Sequence, residues 1–405
     1  MRDTTRSKRS LRTAVVGGGI GGLSAACALR QRGIDVTVFE RADALGEIGA
    51  GLSLFPNALR QLERMGLGPA LAKVGARIGD NSQYCRADGT KVGSLMTTDS
   101  SGWNGMYGMH RADLLNVLAA SLPGEAIRTG HRCIEFEQSP DAARLKFANG
   151  ETAEADVVIA ADGIHSALQK YVVEPKPPEY SGVRSYRGLI ASEKLPGWPK
   201  EVQQVWMGDG KHFIVYPVRG GQLLNYVGYV PSEDAKAESW SAVGDRDELA
   251  LSFADFDPQV VRLLEKVESC FWWGLYDRRP LPSWTNGRLA LLGDAAHAML
   301  PHLGQGACQA IEDGVALSVL LEGRSPADTP DLLLQYERLR RVRTDLIQAE
   351  ARKNGLRFDS RYENLEQRDR EIANSRAFRR SLIDYDVEKA AIAYLERGDL
   401  SPKLN

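Results

Sequence analysis

Residues 1–10 are polar and basic, and hydrophobic patterning begins only at Leu11. An apolar run at 13–16 is followed by six residues, Gly17 to Gly22, of which five are glycine. Apolar positions then recur with helical spacing to Leu29, and a β-branched run occupies 36–39. Strand, glycine turn, helix and strand in that order predict a βαβ unit. The apolar stretch 14–29 has the length of a signal segment, but its glycines would break a membrane or signal helix and suit a strand-to-helix turn. Further on, 111–122 predicts a helix, and 133–137, 142–147 and 157–160 predict strands, the last running into Asp162 and Gly163.

Between about 181 and 276 the period shortens to two, with aromatic-rich segments at 203–207, 212–218 and 223–229 and a turn at Arg219-Gly220-Gly221. This predicts antiparallel hairpins inserted into the α/β part. Strand 288–292, a glycine-containing connection and helix 307–321 then restore the α/β pattern. From Leu332 onward the chain is helical and heavily charged, and its mixed-charge stretch 352–380 is expected to be a solvated helical face. The fold class read from this order is α/β, a doubly wound nucleotide-binding domain with an inserted, mainly antiparallel sheet and C-terminal helices.

A chain of 405 residues is long enough for two cores. With 51 basic and 53 acidic residues it has no overall field to draw it to nucleic acid or anionic lipid, which leaves a small molecule as the expected partner. Its five cysteines, Cys27, Cys85, Cys133, Cys270 and Cys308, are scattered, with no CxxC pair. That argues against a disulfide framework and a zinc site, and favours a reducing cytoplasm. No other run is long enough to span a bilayer, and no His, Cys and carboxylate grouping has metal-ligand spacing along the chain, so neither membrane nor metal is expected. The oligomeric expectation is a monomer or homodimer.

Chemistry enters with Gly17, Gly19 and Gly22 in GxGxxG register, with Ile20 and Gly21 between them and Glu40 closing the next strand. The first glycine makes the turn, the second admits a pyrophosphate to the backbone, and the third lets the helix pack against the strand. The helix N-terminus then faces the phosphates and Glu40 the adenosine ribose. Both NAD and FAD contain that ADP unit, so the motif alone leaves them open.

Four further segments decide between them. These are Glu40-Arg41 with Leu45-Gly46-Glu47-Ile48-Gly49-Ala50-Gly51, then His110-Arg111-Ala112-Asp113-Leu114, then Ala161-Asp162-Gly163-Ile164-His165-Ser166, and Leu292-Gly293-Asp294-Ala295-Ala296-His297. In this order, from about Leu11 to Leu321, the chain resembles the group A FAD-dependent aromatic hydroxylases, in the branch of the salicylate and 3-hydroxybenzoate 6-hydroxylases, which share the para-hydroxybenzoate hydroxylase-like fold. The resemblance implies FAD held by Gly17, Gly19, Ile20, Gly21, Gly22, Glu40, Arg41, Gly51, Arg111, Cys133, Asp162 and Asp294, with Pro301, Gly304, Gly306 and Ala307 at the flavin end. It also implies NADH or NADPH as co-substrate, dioxygen as oxidant and a flavin hydroperoxide as the hydroxylating species. The matching domain division is 11–80, 101–180 and 277–340 for FAD, 81–100 and 181–276 for substrate, and 341–405 as a C-terminal helical region.

At the substrate end, His212 and Tyr216 lie four apart on one predicted strand and project from the same face. Histidine suits acceptance of a phenol proton, and tyrosine can orient the phenol or its carboxylate. His302, after Pro301 in the turn before the flavin-facing helix, competes for the same task, with His212 set slightly ahead. Arg187 is the candidate partner of a substrate carboxylate, or an exposed arginine. Phe213, Tyr216 and Trp206 are expected to cover the flavin ring, Asp162 to cap a turn or serve the cofactor, His165 to lie at the surface, and His297 to have a local structural role. The expected activity is hydroxylation of a small phenolic or hydroxy-heteroaromatic acid, with or without loss of its carboxyl group. The alternatives are an epoxidase or urate-type hydroxylase on the same scaffold, and a non-catalytic flavin-binding sensor.

Overall fold

The computed structural model describes residues 10–46, 50–233, 242–359 and 363–397. Residues 47–49 of the predicted approach to the flavin, the N-terminal residues 1–9 and the last eight residues of the C-terminal region lie outside the described residues.

The glycine turn sits at the centre of a six-stranded sheet. Strand Arg12–Val16 pairs in parallel with Asp35–Phe39 on one side and Val157–Ala160 on the other. Val157–Ala160 pairs in parallel with Leu289–Leu291, and Ile127–Arg128 and Thr285–Asn286 complete the edges. The central strands are buried almost without interruption because helices cover the sheet, which is why they read as solid apolar runs. Helix Ile20–Gln31 packs on helix Gly306–Leu321 with its backbone so near that a Cβ on Gly314 would stand 2.6 Å from the Cα of Ala25.

The inserted segments form an eight-stranded sheet, antiparallel except where Gln204–Met207 runs parallel to Gln83–Arg86. Its two faces carry different side chains. Tyr84, Val205, Ile214 and Tyr216 line a pocket on one face, whereas Trp206, Phe213, Phe253 and Phe256 pack into a separate core on the other. The expected aromatic cover is therefore corrected: of the three residues, Tyr216 alone faces the pocket. Phe213 stands an odd number of positions from Tyr216, and Trp206 pairs directly across from Phe213, so the pleat turns both away.

The stretch 352–380 is also corrected. It is a solvated face only in part: Lys353, Glu363, Glu366, Arg370 and Arg376 are exposed, but Asn354, Phe358, Arg368 and Ile372 are buried. Helix Thr329–Asp359 spans 31 residues, roughly 46 Å at the usual rise, enough to run from the nucleotide sheet to the inserted sheet. Near its start Glu337 accepts from Ser283, the Trp284 backbone and Thr285, and further along Gln348 donates to the carbonyls of Arg278 and Ala298. Many of the charges are spent inward, as where Arg368 donates to the carbonyl of Met207 and Arg352 pairs with Asp277. Composition alone does not disclose that direction.

Candidate active site

Four of the predicted cofactor residues fall at the carboxyl ends of adjacent parallel strands. In sheet order they are Asp294 after Leu289–Leu291, Asp162 after Val157–Ala160, Gly17 after Arg12–Val16 and Glu40 after Asp35–Phe39. Neighbouring strands lie about 4.8 Å apart, so the four positions span roughly 14 Å, an extended cradle at the switch point of an open α/β sheet.

The cradle suits a dinucleotide. Gly17 has φ of +111°, and a Cβ there would lie 2.3 Å from the carbonyl oxygen of Ala161, so only glycine can make the turn. Gly22 touches the Gly17 carbonyl just as closely, and Gly21 packs against Leu292. Gly19, next to Ile20 at the helix start, has open space where a Cβ would stand, leaving room for a phosphate against the helix N-terminus. Glu40 accepts from the backbone N–H of Gly18 at 2.6 Å and of Ala42 at 2.8 Å, which fixes its carboxylate at the cradle's far end, beside the exposed Arg41. Asp162 accepts from Ala167 N–H through one oxygen, while its other, buried oxygen has no partner among the described residues. Burial raises the pKa of Asp162. Cys133 is buried nearby, its thiol pushed up to about 11, mainly by burial.

At the opposite end, half-buried Arg111 opens helix Arg111–Ala120, where burial lowers its pKa and the nearby carboxylate of Asp294 opposes that shift. Gly51 is fixed by its N–H bond to the Asn225 side chain. Pro301, His302 and Leu303 form a single 3-10 turn, Gly304 takes φ of +65°, and Gly306 and Ala307 begin the next helix. His297 bonds Asp313 at 2.6 Å in the core, and His165 is exposed.

Next to Gly51 and the 301–305 turn lies a cavity of about 140 Å³. Its sheet wall carries Arg187, Tyr216 and Tyr229, and the wall formed by the 301–305 turn carries Pro301, His302 and Gln305. A third wall of Phe358, Arg379, Leu382 and Ile383 comes from the C-terminal helices. His302 therefore faces the cavity. Burial, with His212 and Arg187 adding to it, holds its pKa well below the ordinary histidine value, so the ring is neutral at pH 7. Its Nδ1 has no hydrogen-bond partner among the described residues.

His212 does not line the cavity. It is fully buried behind the wall, stacked on Tyr229 with ring centroids 4.2 Å apart and 5.3 Å from the ring of His302. Its Nδ1 bonds Asp359 Oδ1 at 2.5 Å. His212, His302 and Asp359 each place a possible ligand atom within 4.8 Å of the others, a metal-competent grouping that chain spacing did not reveal. Asp359 and Arg379 escaped the sequence reading because both belong to the charged C-terminal stretch. Gly355 escaped it too: a Cβ there would meet His302 Cδ2 at 2.6 Å and Nε2 at 2.7 Å. A glycine inside a strongly helical segment was the available signal.

The five cysteines are free and buried, and no helix among the described residues is long and apolar enough to cross a membrane. The FAD binding domain family matches residues 10–351. The chain is 39% identical over 358 residues to 3-amino-4-hydroxybenzoate 2-monooxygenase of Streptomyces cremeus, covering 86% of this chain and 88% of that one. It is 34% identical over 382 residues to a salicylate hydroxylase of Pseudomonas putida, covering 88% of each. Among solved structures, a salicylate hydroxylase substrate complex superposes with a TM-score of 0.82 at 29% identity, over 98% of this chain and 99% of that one. Taken with the cradle geometry, these likenesses show that the chain belongs to the FAD-binding domain family and is an FAD-dependent monooxygenase with the aromatic-hydroxylase fold.

Proposed function

We propose that this enzyme hydroxylates the ring of a small aromatic acid that already carries a hydroxyl group, using NADH or NADPH and dioxygen, with His302 receiving the substrate's hydroxyl proton. The observation that carries the reading is a neutral imidazole facing a cavity of about 140 Å³ next to the predicted flavin loops. Cavities on the order of 150 Å³ accept one benzene ring, so the ligand class is a single ring. The substrates named for the two relatives, 3-amino-4-hydroxybenzoate and salicylate, are single-ring hydroxy acids.

Bound FAD would supply the redox chemistry, passing electrons from the pyridine nucleotide to dioxygen, which is the source of the inserted oxygen, and the cradle from Glu40 through Asp162 to Asp294 and Arg111 would hold the flavin. The ring attacks far better as a phenolate, and a neutral histidine can take that proton. Arg187 stacks on Trp273 at 4.2 Å, and its positive charge stabilises an anion formed in the cavity, so it favours the phenolate. Val205, Ile214, Val227 and Phe358 keep water from the reacting atoms. We assign His212 to holding His302 rather than to the substrate, since its Nδ1 is engaged with Asp359 and its ring lies behind Tyr229. The substrate-binding unit comprises 81–100 and 181–276, whose strands share one sheet, and the cofactor-binding unit comprises 11–80, 101–180 and 277–340.

Purified protein loaded with FAD should oxidise NADH or NADPH faster when given hydroxybenzoates or hydroxynicotinates, with hydroxylated product seen by mass spectrometry. If no aromatic acid yields product, the assignment is wrong. His302→Gln should keep its flavin yet lose about 100-fold in kcat.

A further inference from the structure

The third wall of the cavity comes from beyond residue 351, where the family match ends. Its one charged member is Arg379, on helix Arg376–Asp384. The neighbouring arginines Arg352, Arg357 and Arg380 each pair with a carboxylate, on Asp277, Glu350 and Asp384. Arg379 has no such partner among the described residues. It is half-buried, and its guanidinium is nevertheless fixed: Nε donates to Ser375 Oγ at 3.1 Å, Nη2 donates to Asn354 Oδ1 at 2.9 Å, and its carbon lies 4.9 Å from the Tyr84 ring centroid. A positioned cation at the edge of a mostly apolar cavity, without a counter-ion, is complementary to an anionic ligand.

Asn354 makes a second bond that ties this cation to the proposed base. Fully buried, it accepts from Arg379 and donates through Nδ2 to the backbone carbonyl of His302 at 2.7 Å. One rigid amide thus holds the cation and the turn bearing the imidazole in fixed relation.

We propose that Arg379 binds the substrate's carboxylate and so determines which ring isomers present their hydroxyl to His302. This rests on the reading of the site as an aromatic-acid hydroxylase. Arg187 is the rival anchor. It lines the same cavity from the sheet wall, stacks on Trp273, and its charge acts on His302, Tyr216 and Tyr229 as well as on Arg111 at the cofactor cradle, so the test below includes it.

The test titrates FAD-loaded wild type, Arg379→Met, Arg379→Lys and Arg187→Met with 2-, 3- and 4-hydroxybenzoate and with phenol, following the flavin absorbance change and product formation. In Arg379→Met the Kd for the preferred acid should rise about 10- to 100-fold while that for phenol stays within about threefold, as expected for removing a charge-assisted contact. The ranking among the three isomers should flatten, and Arg379→Lys should fall between the two. The proposal is overturned if acid and phenol weaken together, if the acid's Kd is unchanged, or if the selective loss appears in Arg187→Met instead. Binding and product are separate readouts. A wild type that binds these acids but hydroxylates none removes the hydroxylase reading, and this inference with it, whereas intact hydroxylation with unchanged selectivity in Arg379→Met removes this inference alone.

Discussion

His302, the proposed base, owes its neutral ring to where it is buried rather than to a strong partner. Its desolvated ring, next to His212 and Arg187, binds a proton more weakly than a histidine in the unfolded chain. Between the depressed folded pKa and the ordinary value of about 6.5, the unfolded chain therefore holds the extra proton. Stability contributed by this residue is fully present above about pH 6.5 and is lost as pH falls through that window toward the folded pKa. Urea midpoints measured from pH 7.5 down to 5 should fall less in His302→Gln than in wild type. Behind the same ring, 5.3 Å away between centroids, lies His212, the proposed positioning residue, whose Nδ1 is engaged with Asp359. Asp359→Asn replaces that carboxylate by an amide that holds the imidazole less firmly. It should lower kcat by about 3- to 10-fold while leaving KM and flavin content unchanged, a smaller loss than removing His302 itself.

At the scale of elements, the long helix Thr329–Asp359 has to admit the His302 ring against its own backbone, and Gly355 makes the opening. Alanine at an exposed helix position would stabilise by about 1 kcal/mol over glycine. Here its methyl would collide with Cδ2 and Nε2, so Gly355→Ala should displace the imidazole, reducing kcat by about 10- to 100-fold with flavin still bound. Stopped-flow separation of flavin reduction from product formation would place the loss in the second. The contact also explains what the sequence could and could not disclose. The βαβ turn, Glu40, Asp162 and Asp294 were legible because each belongs to a local strand-to-turn pattern with a mechanical reason for its residues. The pairing of His212 with Tyr216 on one strand face was legible from period two, and so, with the same rule applied strictly, was the opposite orientation of Phe213. The third wall was not, because Gly355 meets His302, Asp359 meets His212 and Arg379 reaches the His302 turn through Asn354, each across more than fifty positions of chain, and only the packing of the long helix decides which charges turn inward.

At the scale of the whole molecule, one buried charge network links that helix to two of the proposed flavin-binding loops, those carrying Asp294 and Gln305. Fully buried Arg340 donates to Glu312 at 2.6 Å and to Asp313 at 2.8 Å, and Arg343 adds a second cation to Glu312. Burial favours the protonated carboxyls, but Arg343 and Arg340 around Glu312, and His297 and Arg340 around Asp313, outweigh it and hold both below the usual carboxylate range. Asp313 in turn accepts from the Gly293 N–H and pairs with His297, fixing the loop that carries Asp294, while Glu312 accepts from Asn57, which also donates to Gln305 in the second loop. Replacing Arg340 by methionine fills similar volume but leaves two buried carboxylates short of a cation, a defect costing about 3 to 5 kcal/mol. The apparent melting temperature should drop by several degrees, and flavin should be lost on gel filtration, because the loops at both ends of the network loosen together. Excess FAD binds the native state alone and should restore part of the melting temperature. An Arg340→Met protein that melted like wild type and kept its flavin would mean that the two loops are held by their own turns, and that the long helix contributes the pocket wall without bracing the cofactor.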